Sequence, residues 1–441
     1  MKMRNLALFL AIAMLLSLGM TGCGSSAPAA SEPAAAPAAE AAPAAEAAPA
    51  AEAPAAGPTL VYWSMWEATE PQGIVLQEAI NAFTAQTGIA VDAQFKGRQG
   101  IRQGLQAALD AGTVIDIFDE GVDRVNQNWG DYLLDLEGYM ANGYEDTAIA
   151  PFMAACREAG GGTLKSIPYQ GSIFAWFYNP DIFAEAGIEA VPTTWAEFLD
   201  CCAKIKAAGY SPITSDDAYF LSNFGYHVAR YGGQDAVIDA VTNGNWDTDA
   251  VRKTAEDFYY LGEQGYFSPN LASNVWPNGQ NVEFALGDVG MYLNGSWLPN
   301  EIRGLAGDDY VWGCFSYPSV EGGVDDTSYA NTSFQVFAIN NKSQYPDEAF
   351  QLIEWLTKGE WDLKLSQGSL GVPADTTNAE WPAQMINVKP VLEGTANRYI
   401  WAAGAENNAD ITPVLLENLL NLCTCKITPD DFVNNMLAAS K

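Results

Sequence analysis

From residue 60 onward the apolar residues change period repeatedly, and that alternation confines the chain to one broad architecture. Leu60-Val61-Tyr62-Trp63 forms a short apolar strand. An amphipathic stretch follows, with Val75, Ala79 and Phe83 at helical spacing, and Gly88 stops it. Ile89, Val91, Ala93 and Phe95 then alternate as a half-buried strand does, so the opening is a β-α-β unit. A second helical segment with Ile101, Leu105, Ala108 and Leu109 leads into the strand Val114–Phe118. Strands and helices in this order predict an α/β body with a mostly parallel sheet. In open sheets of that kind ligands gather at the carboxyl ends of strands, here the loops around Trp66-Glu67 and Asp119-Glu120.

The first 58 residues read differently. Lys2 and Arg4 precede an apolar core from Leu6 to Met20, too short for a comfortable membrane span, so residues 1–22 are expected to be an export signal. Met20-Thr21-Gly22-Cys23 closes that core and resembles the lipobox of bacterial lipoproteins, which implies cleavage before Cys23 and lipidation of its thiol. Residues 23–58 turn to Ala, Pro and Glu. Prolines at 28, 33, 37, 43, 49, 54 and 58 interrupt any helix early. Such a stalk reaches about 100 Å when extended. The reading is an extracytoplasmic protein, anchored to the outer face of the cell membrane through Cys23.

Charge excludes several partners. With 21 Lys+Arg against 54 Asp+Glu, the net charge of −33 repels phosphate backbones and anionic lipid headgroups, so no nucleic-acid partner is expected. A single histidine, His227, rules out a multi-histidine metal site, and with no partner identifiable along the chain it is as readily structural as anything else. Neither a zinc ligand pattern nor a calcium loop is visible, and no cofactor is expected. The six cysteines after Cys23 include Cys201-Cys202 in a helical segment and Cys423-Thr424-Cys425, too close together for an easy mutual bridge. No nucleophile elbow, phosphate loop or zinc-protease helix occurs, so no catalytic residue is assigned.

The centre of the chain carries the most specific pattern. Ser166 to Asn179 is a long apolar run. Pro180-Asp181-Ile182-Phe183 follows, then Gly187-Ile188 and Pro192-Thr193-Thr194-Trp195-Ala196-Glu197-Phe198, in which Thr194 and Glu197 make a capping box. Later come Gly287-Asp288-Val289-Gly290-Met291 with Asn294-Gly295-Ser296-Trp297, and Ser333–Ile339 followed by Tyr345-Pro346-Asp347-Glu348-Ala349-Phe350. Together with Trp63-Ser64-Met65-Trp66, this succession resembles the family 1 extracellular sugar-binding proteins of bacterial ABC importers, the group that includes maltose-binding protein. The similarity covers about 60 to 441.

That resemblance implies a two-lobed periplasmic-binding-protein-like fold (type II), its discontinuous lobes joined by crossing hinge strands. The expected lobes are 59–170 with 315–371 and 171–314 with 372–441, with crossings near Gln170–Ala175, Gly313–Tyr317 and Gly371–Pro373. A neutral sugar needs aromatic planes for its C–H faces and carboxylates, amides or Arg for its hydroxyl rim. Trp66-Glu67, Asp119-Glu120, Asp123-Arg124, Tyr219-Phe220, Trp276 and Asn294 with Trp297 supply both, with Tyr169 from the central run. The resemblance places Glu67 and Asp123-Arg124 among hydroxyl-pairing positions, Trp297 at a stacking position, Tyr219-Phe220 near an aromatic pair, and Trp401 near a late aromatic. Where maltose-binding protein has a carboxylate in the first crossing strand, this chain has Ser172, which argues against malto-oligosaccharide. Trp63, Trp176, Trp195 and Trp355 are expected in the core.

The function expected is a monomeric solute-binding lipoprotein that captures a neutral sugar or oligosaccharide by hinge closure and delivers it to an ABC permease. An extracellular glycoside hydrolase with a cleft carboxylate pair is one alternative; a receptor of the same fold for a non-sugar solute is another.

Overall fold

The computed structural model describes residues 57–441. The expected signal peptide 1–22, the lipidated Cys23 and all but the end of the 23–58 linker lie outside the described residues. Strand β1 (Thr59–Ser64) pairs in parallel with β2 (Ala90–Phe95) and β3 (Ile117–Gly121). Helix α1 (Pro71–Thr87) connects the first two strands, begun by Pro71 and ended by Gly88 at φ 76°. A left-handed residue there costs glycine no Cβ clash. Helix α2 (Gly97–Asp110) leads toward β3 and buries Ile101, Leu105 and Leu109. The strand expected at Val114–Phe118 begins later, at Ile117, and takes Asp119 and Glu120 into itself, where both are buried. These two acids therefore stand within a strand and not in the loop after it.

The remaining strands are β4 (Ile167–Tyr178), β5 (Ser211–Thr214), β6 (Val289–Gly295), β7 (Gly313–Phe315), β8 (Tyr329–Ile339) and β9 (Asn397–Tyr399). Their order is β2-β1-β3-β8-β4-β6-β5, with β7 also on β4 and β9 on β8. The sheet is mixed: β8 runs antiparallel to both β3 and β4, and β4 antiparallel to β6 and β7. The mostly parallel sheet expected from the opening holds only at its two ends, because the two long central strands run in opposite directions.

Two hydrophobic cores lie along this path. The first holds Leu60, Tyr62, Phe118, Ile167, Tyr169, Phe334 and Val336–Ile339; the second holds Ile173–Phe177, Trp195, Phe198, Phe224, Leu293, Tyr317 and Leu419. Strand β4 passes from one to the other. Ile167–Ile173 pair with β8, Phe174–Tyr178 pair with β6, and the register shifts between Tyr169 and Gly171, where Gln170 takes φ 44°. A bulge of this kind bends a strand and raises its local twist. Strand β8 makes the second crossing, with Ala330 in the second core and Phe334 in the first. The third falls near Leu370 and Val372, where Val372 bridges Gly171. The crossing expected at Gly313–Tyr317 is thus displaced into β8: Phe315, Tyr317 and Val320 pack in the second core.

Arg230 explains that displacement. Fully buried on the helix Phe220–Gly232, it donates to the carbonyls of Pro318 (3.1 Å), Tyr317 (2.9 Å) and Tyr329 (2.9 Å) and to the hydroxyl of Tyr399 (2.7 Å). Tyr399 in turn donates to Asp325 at 2.7 Å. The guanidinium so holds the segment between β7 and β8 against the second core. Trp176 and Trp195 are buried there, while Trp63 and Trp355 pack at the margin of the first core. His227 is structural, buried between Asp257 (2.8 Å) and the Tyr317 hydroxyl (3.0 Å). Thr194 and Glu197 form the capping box, and the six cysteines among the described residues are free.

Arg230→Met should remove at least about 3 kcal/mol of stability, because three buried carbonyls lose their donor at once. Denaturant unfolding monitored by tryptophan fluorescence measures it; a loss below about 1 kcal/mol would show that the segment is held by other contacts.

Candidate functional site

The loop after β1 delivers Trp66 to the mouth of a cavity. Its indole Nε1 donates to Tyr169 Oη at 2.7 Å, Tyr169 donates to Asp119 Oδ2, and Asp119 Oδ1 accepts the Met65 amide at 2.8 Å. These bonds fix the plane of an indole that is itself almost wholly buried. Burial pushes the Asp119 carboxyl up to about 7, against which the Tyr169 and Met65 bonds work. The Arg98 guanidinium lies 4.7 Å from the Trp66 ring centre and pairs with Glu70 at 2.8 Å. One turn along α2, Arg102 pairs with Glu120 at 2.7 Å, and Arg124 reaches the same carboxylate at 3.3 Å.

The opposite wall is aromatic. Asp216 accepts the amides of Ala218 (2.7 Å) and Tyr219 (3.0 Å) and the hydroxyl of Tyr292, which sets Tyr219 at the start of its helix. Burial raises the Asp216 carboxyl to about 6. Trp297 follows β6 and folds over Gly295, where a Cβ would sit 2.3 Å from the indole, so only glycine lets the ring lie there. Trp297 Nε1 donates to Tyr219 Oη at 3.3 Å. Trp401 completes the group, its ring 6.4 Å from that of Trp297 with 21° between the planes. Phe174 of β4 backs all three, at 5.6 to 6.0 Å.

Between these walls lies a cavity of about 900 Å³. Trp66, Arg98, Arg102 and Glu120 border it from the first core; Tyr219, Trp276, Trp297, Glu301 and Trp401 border it from the second. Gln170, Ser172, Gln335 and Gly371 come from the three crossings. The Oε1 atoms of Gln170 and Gln335 are buried without a donor, so a hydroxyl-bearing ligand would supply what they lack. Glu301 accepts from Asn281 (3.2 Å) and Trp276 (3.4 Å), and burial holds its carboxyl above the usual range. Each arginine on the wall has a carboxylate partner, so the cavity offers no unneutralised cationic cluster. Among the described residues no group of His, Cys, Asp or Glu could hold a metal ion.

Six of the expected site residues meet here: Trp66, Glu120, Tyr219, Trp276, Trp297 and Trp401. The others stand elsewhere. Asp119 and Tyr169 are buried behind Trp66. Glu67 is exposed, with its amide bonded to Glu70 at 2.7 Å. Asp123 pairs with Arg398 at 2.7 Å, and Arg124 stays off the wall. Phe220 belongs to the second core, and Asn294 is buried in β6 with Oδ1 on the Gly295 amide at 2.6 Å. Sequence reasoning missed Arg98, Arg102, Gln335, Asn300 and Glu301. A signal existed for some: Arg98 and Arg102, and Trp297, Glu301 and Leu305, recur at four-residue spacing on one helix face.

Residues 67–361 match the family of bacterial extracellular solute-binding proteins. A binding protein of Brucella abortus is 25% identical over 327 residues, covering 71% of this chain and 76% of its own length. The sn-glycerol-3-phosphate-binding periplasmic protein of Agrobacterium fabrum is 30% identical over 147 residues, 33% of this chain and 28% of that protein. Among solved structures, ligand-free RafE of Streptococcus pneumoniae superimposes with a TM-score of 0.71 at 20% identity, covering 88% of this chain and 98% of the other. A chitin oligosaccharide binding protein gives 0.66 at 19% identity, covering 87% and 98%. The fold is shared at these identities: the periplasmic-binding-protein-like type II fold.

Asp119 and Asp216 both have raised pKa values, so between about pH 4 and 7 the folded protein holds protons that the unfolded chain releases. Their contribution to stability is present at low pH and is lost as pH rises through those values. His227, lowered by burial, works in the opposite sense below its ordinary value. Two carboxyls outweigh one imidazole, so the melting temperature should fall between pH 5 and pH 8, and Asp119→Asn should flatten the slope. Scanning fluorimetry across that range tests it; an unchanged slope in the variant would contradict it.

Proposed function

The chain belongs to the bacterial extracellular solute-binding proteins, and from that premise we propose that it captures a neutral sugar or oligosaccharide outside the cell and passes it to an ABC permease. One observation carries the reading: three aromatic rings from one core face a polar, charge-balanced wall from the other across a single cavity. Indole and phenol faces suit the C–H faces of a pyranose, and paired arginines and glutamates suit its hydroxyls. Solved structures of the same fold include a chitin oligosaccharide binding protein, which supports a glycan as ligand.

Capture works by closure. The two core-bearing parts act as lobes, the first ending at the Gln170 bulge and resuming in β8, the second occupying the intervening segment and most of the chain after Leu370. A ligand that touches both walls binds best when they approach, so it shifts the population toward the closed form, and the permease reads that form. Cys23 carries the lipid that keeps the protein at the outer face of the membrane.

A second reading, sn-glycerol 3-phosphate or a related ester, is favoured by the likeness to the Agrobacterium protein and by Arg98 and Arg102 on the wall. The glutamate beside each arginine and the charge of −33 weigh against it.

A thermal-shift panel of mono- and oligosaccharides and sn-glycerol 3-phosphate separates these readings, since a ligand specific to the native form raises its melting temperature. A glycan should give the largest shift, and Trp297→Ala should lower affinity for it at least about tenfold. A shift from glycerol phosphate alone would favour the second reading. New reducing ends after incubation would mean hydrolysis and sink the binding-only account.

A further inference from the structure

We propose that the ligand site continues past Leu370 into an open groove beside Trp381, and that the ligand is an oligosaccharide long enough to occupy both. The proposal rests on the sugar reading and specifies its ligand class. The main cavity follows one face of the helix Leu298–Ala306, whose wall residues Trp297, Glu301 and Leu305 are four apart. At 1.5 Å per residue this wall is roughly 12 Å long, more than one pyranose ring spans. Its volume of about 900 Å³ also stands near the top of the range that small ligands fill.

Arg303 on the helix and Asp308 just after it border a groove of about 690 Å³, and Leu370 belongs to the walls of both spaces. The groove repeats the chemistry of the main cavity on a smaller scale. One indole, Trp381, shares the groove's walls with Arg303, Asp308, Gln367, Glu380 and Gln384, residue types able to pair with hydroxyls. The Gln384 amide donates to the Asp308 carbonyl, which ties the two sides of the groove together. Lys389 places its ammonium 5.6 Å from the Trp381 ring centre, and it borders a separate cavity of about 560 Å³ and not the groove. A glycan whose inner units stack between Trp66 and the Trp297–Trp401 pair would pass Leu370 and bring its outer units against Trp381. A monosaccharide would leave the groove empty.

Ladders of xylo-, cello-, malto- and chito-oligosaccharides, from one to six units, test this on the full chain by titration calorimetry. In the ladder that binds, affinity should keep rising with length, the longest members binding at least about tenfold more tightly than the shortest. Trp381→Ala should collapse that ratio. Gln367→Ala, an exposed change that leaves the packing intact, should reduce it as well, and decides the matter if the tryptophan variant does not fold. Affinity that stops rising at the length filling the main cavity, or a ratio unchanged in the variants, would overturn the extension while leaving the sugar reading standing. A protein that binds no ladder at any length would fail the sugar reading itself and this extension with it.

Discussion

The antiparallel pairing of β4 with β8 is the contact on which the rest of the structure depends. Each strand begins against one hydrophobic core and ends against the other, and they do so in opposite directions, so every residue near their middle serves both parts. Because strand side chains alternate faces, a strand that changes cores must also change its twist or register. Gln170 meets that requirement at φ 44°, and the irregularity at Tyr169–Gly171 lies on the floor of the cavity. The site is thus built beside an irregular stretch of backbone, and its floor comes from the segments that run between the two cores.

The cavity itself is a problem in charge balance. A chain with a net charge of −33 surrounds any anionic ligand with unfavourable potential. Its arginines at the site answer that field locally, each paired with a glutamate, which leaves polar groups in quantity but little excess charge. Such a wall offers hydrogen-bond geometry and ring stacking in place of net charge. Asp119 and Asp216 contribute differently: they are buried behind the aromatic side chains and orient them through Tyr169 and through the amides of the turn at Tyr219. Their raised pKa values reflect that burial, and their role is to hold platforms rather than to meet a ligand.

Much of this was legible along the chain, and the failures have a common cause. The opening β-α-β unit, the helix stop at Gly88 and the capping box at Thr194 follow from neighbours within a few residues, where period, cap chemistry and turn geometry act. Trp66, Trp276 and Trp297 stood out because they are large aromatic residues beside Glu, Pro or Ser in connecting segments, whereas Trp401, between Ile400 and Ala402, was suggested only by the family resemblance. The crossing expected at Gly313–Tyr317 was misplaced because the group that decides it, Arg230, lies some ninety residues earlier in the chain and acts through main-chain carbonyls that carry no residue signature. Phe220 and Asn294 have the right chemistry for a sugar but fall on the inward side of their elements, a matter of rotation that composition does not reveal.

What the amino-acid order determined alone was local: which segments become strands and helices, where they stop, and that the body is α/β with many aromatic residues free to serve a ligand. Those outcomes depend on interactions a few residues apart, which periodicity and capping record directly. Only the tertiary structure decided which polar groups face the cavity, that each arginine there has a carboxylate partner, and that Leu370 borders two spaces at once. Those features arise from residues up to some three hundred positions apart, brought together by the β4–β8 crossing, and no local pattern carries the information of that meeting.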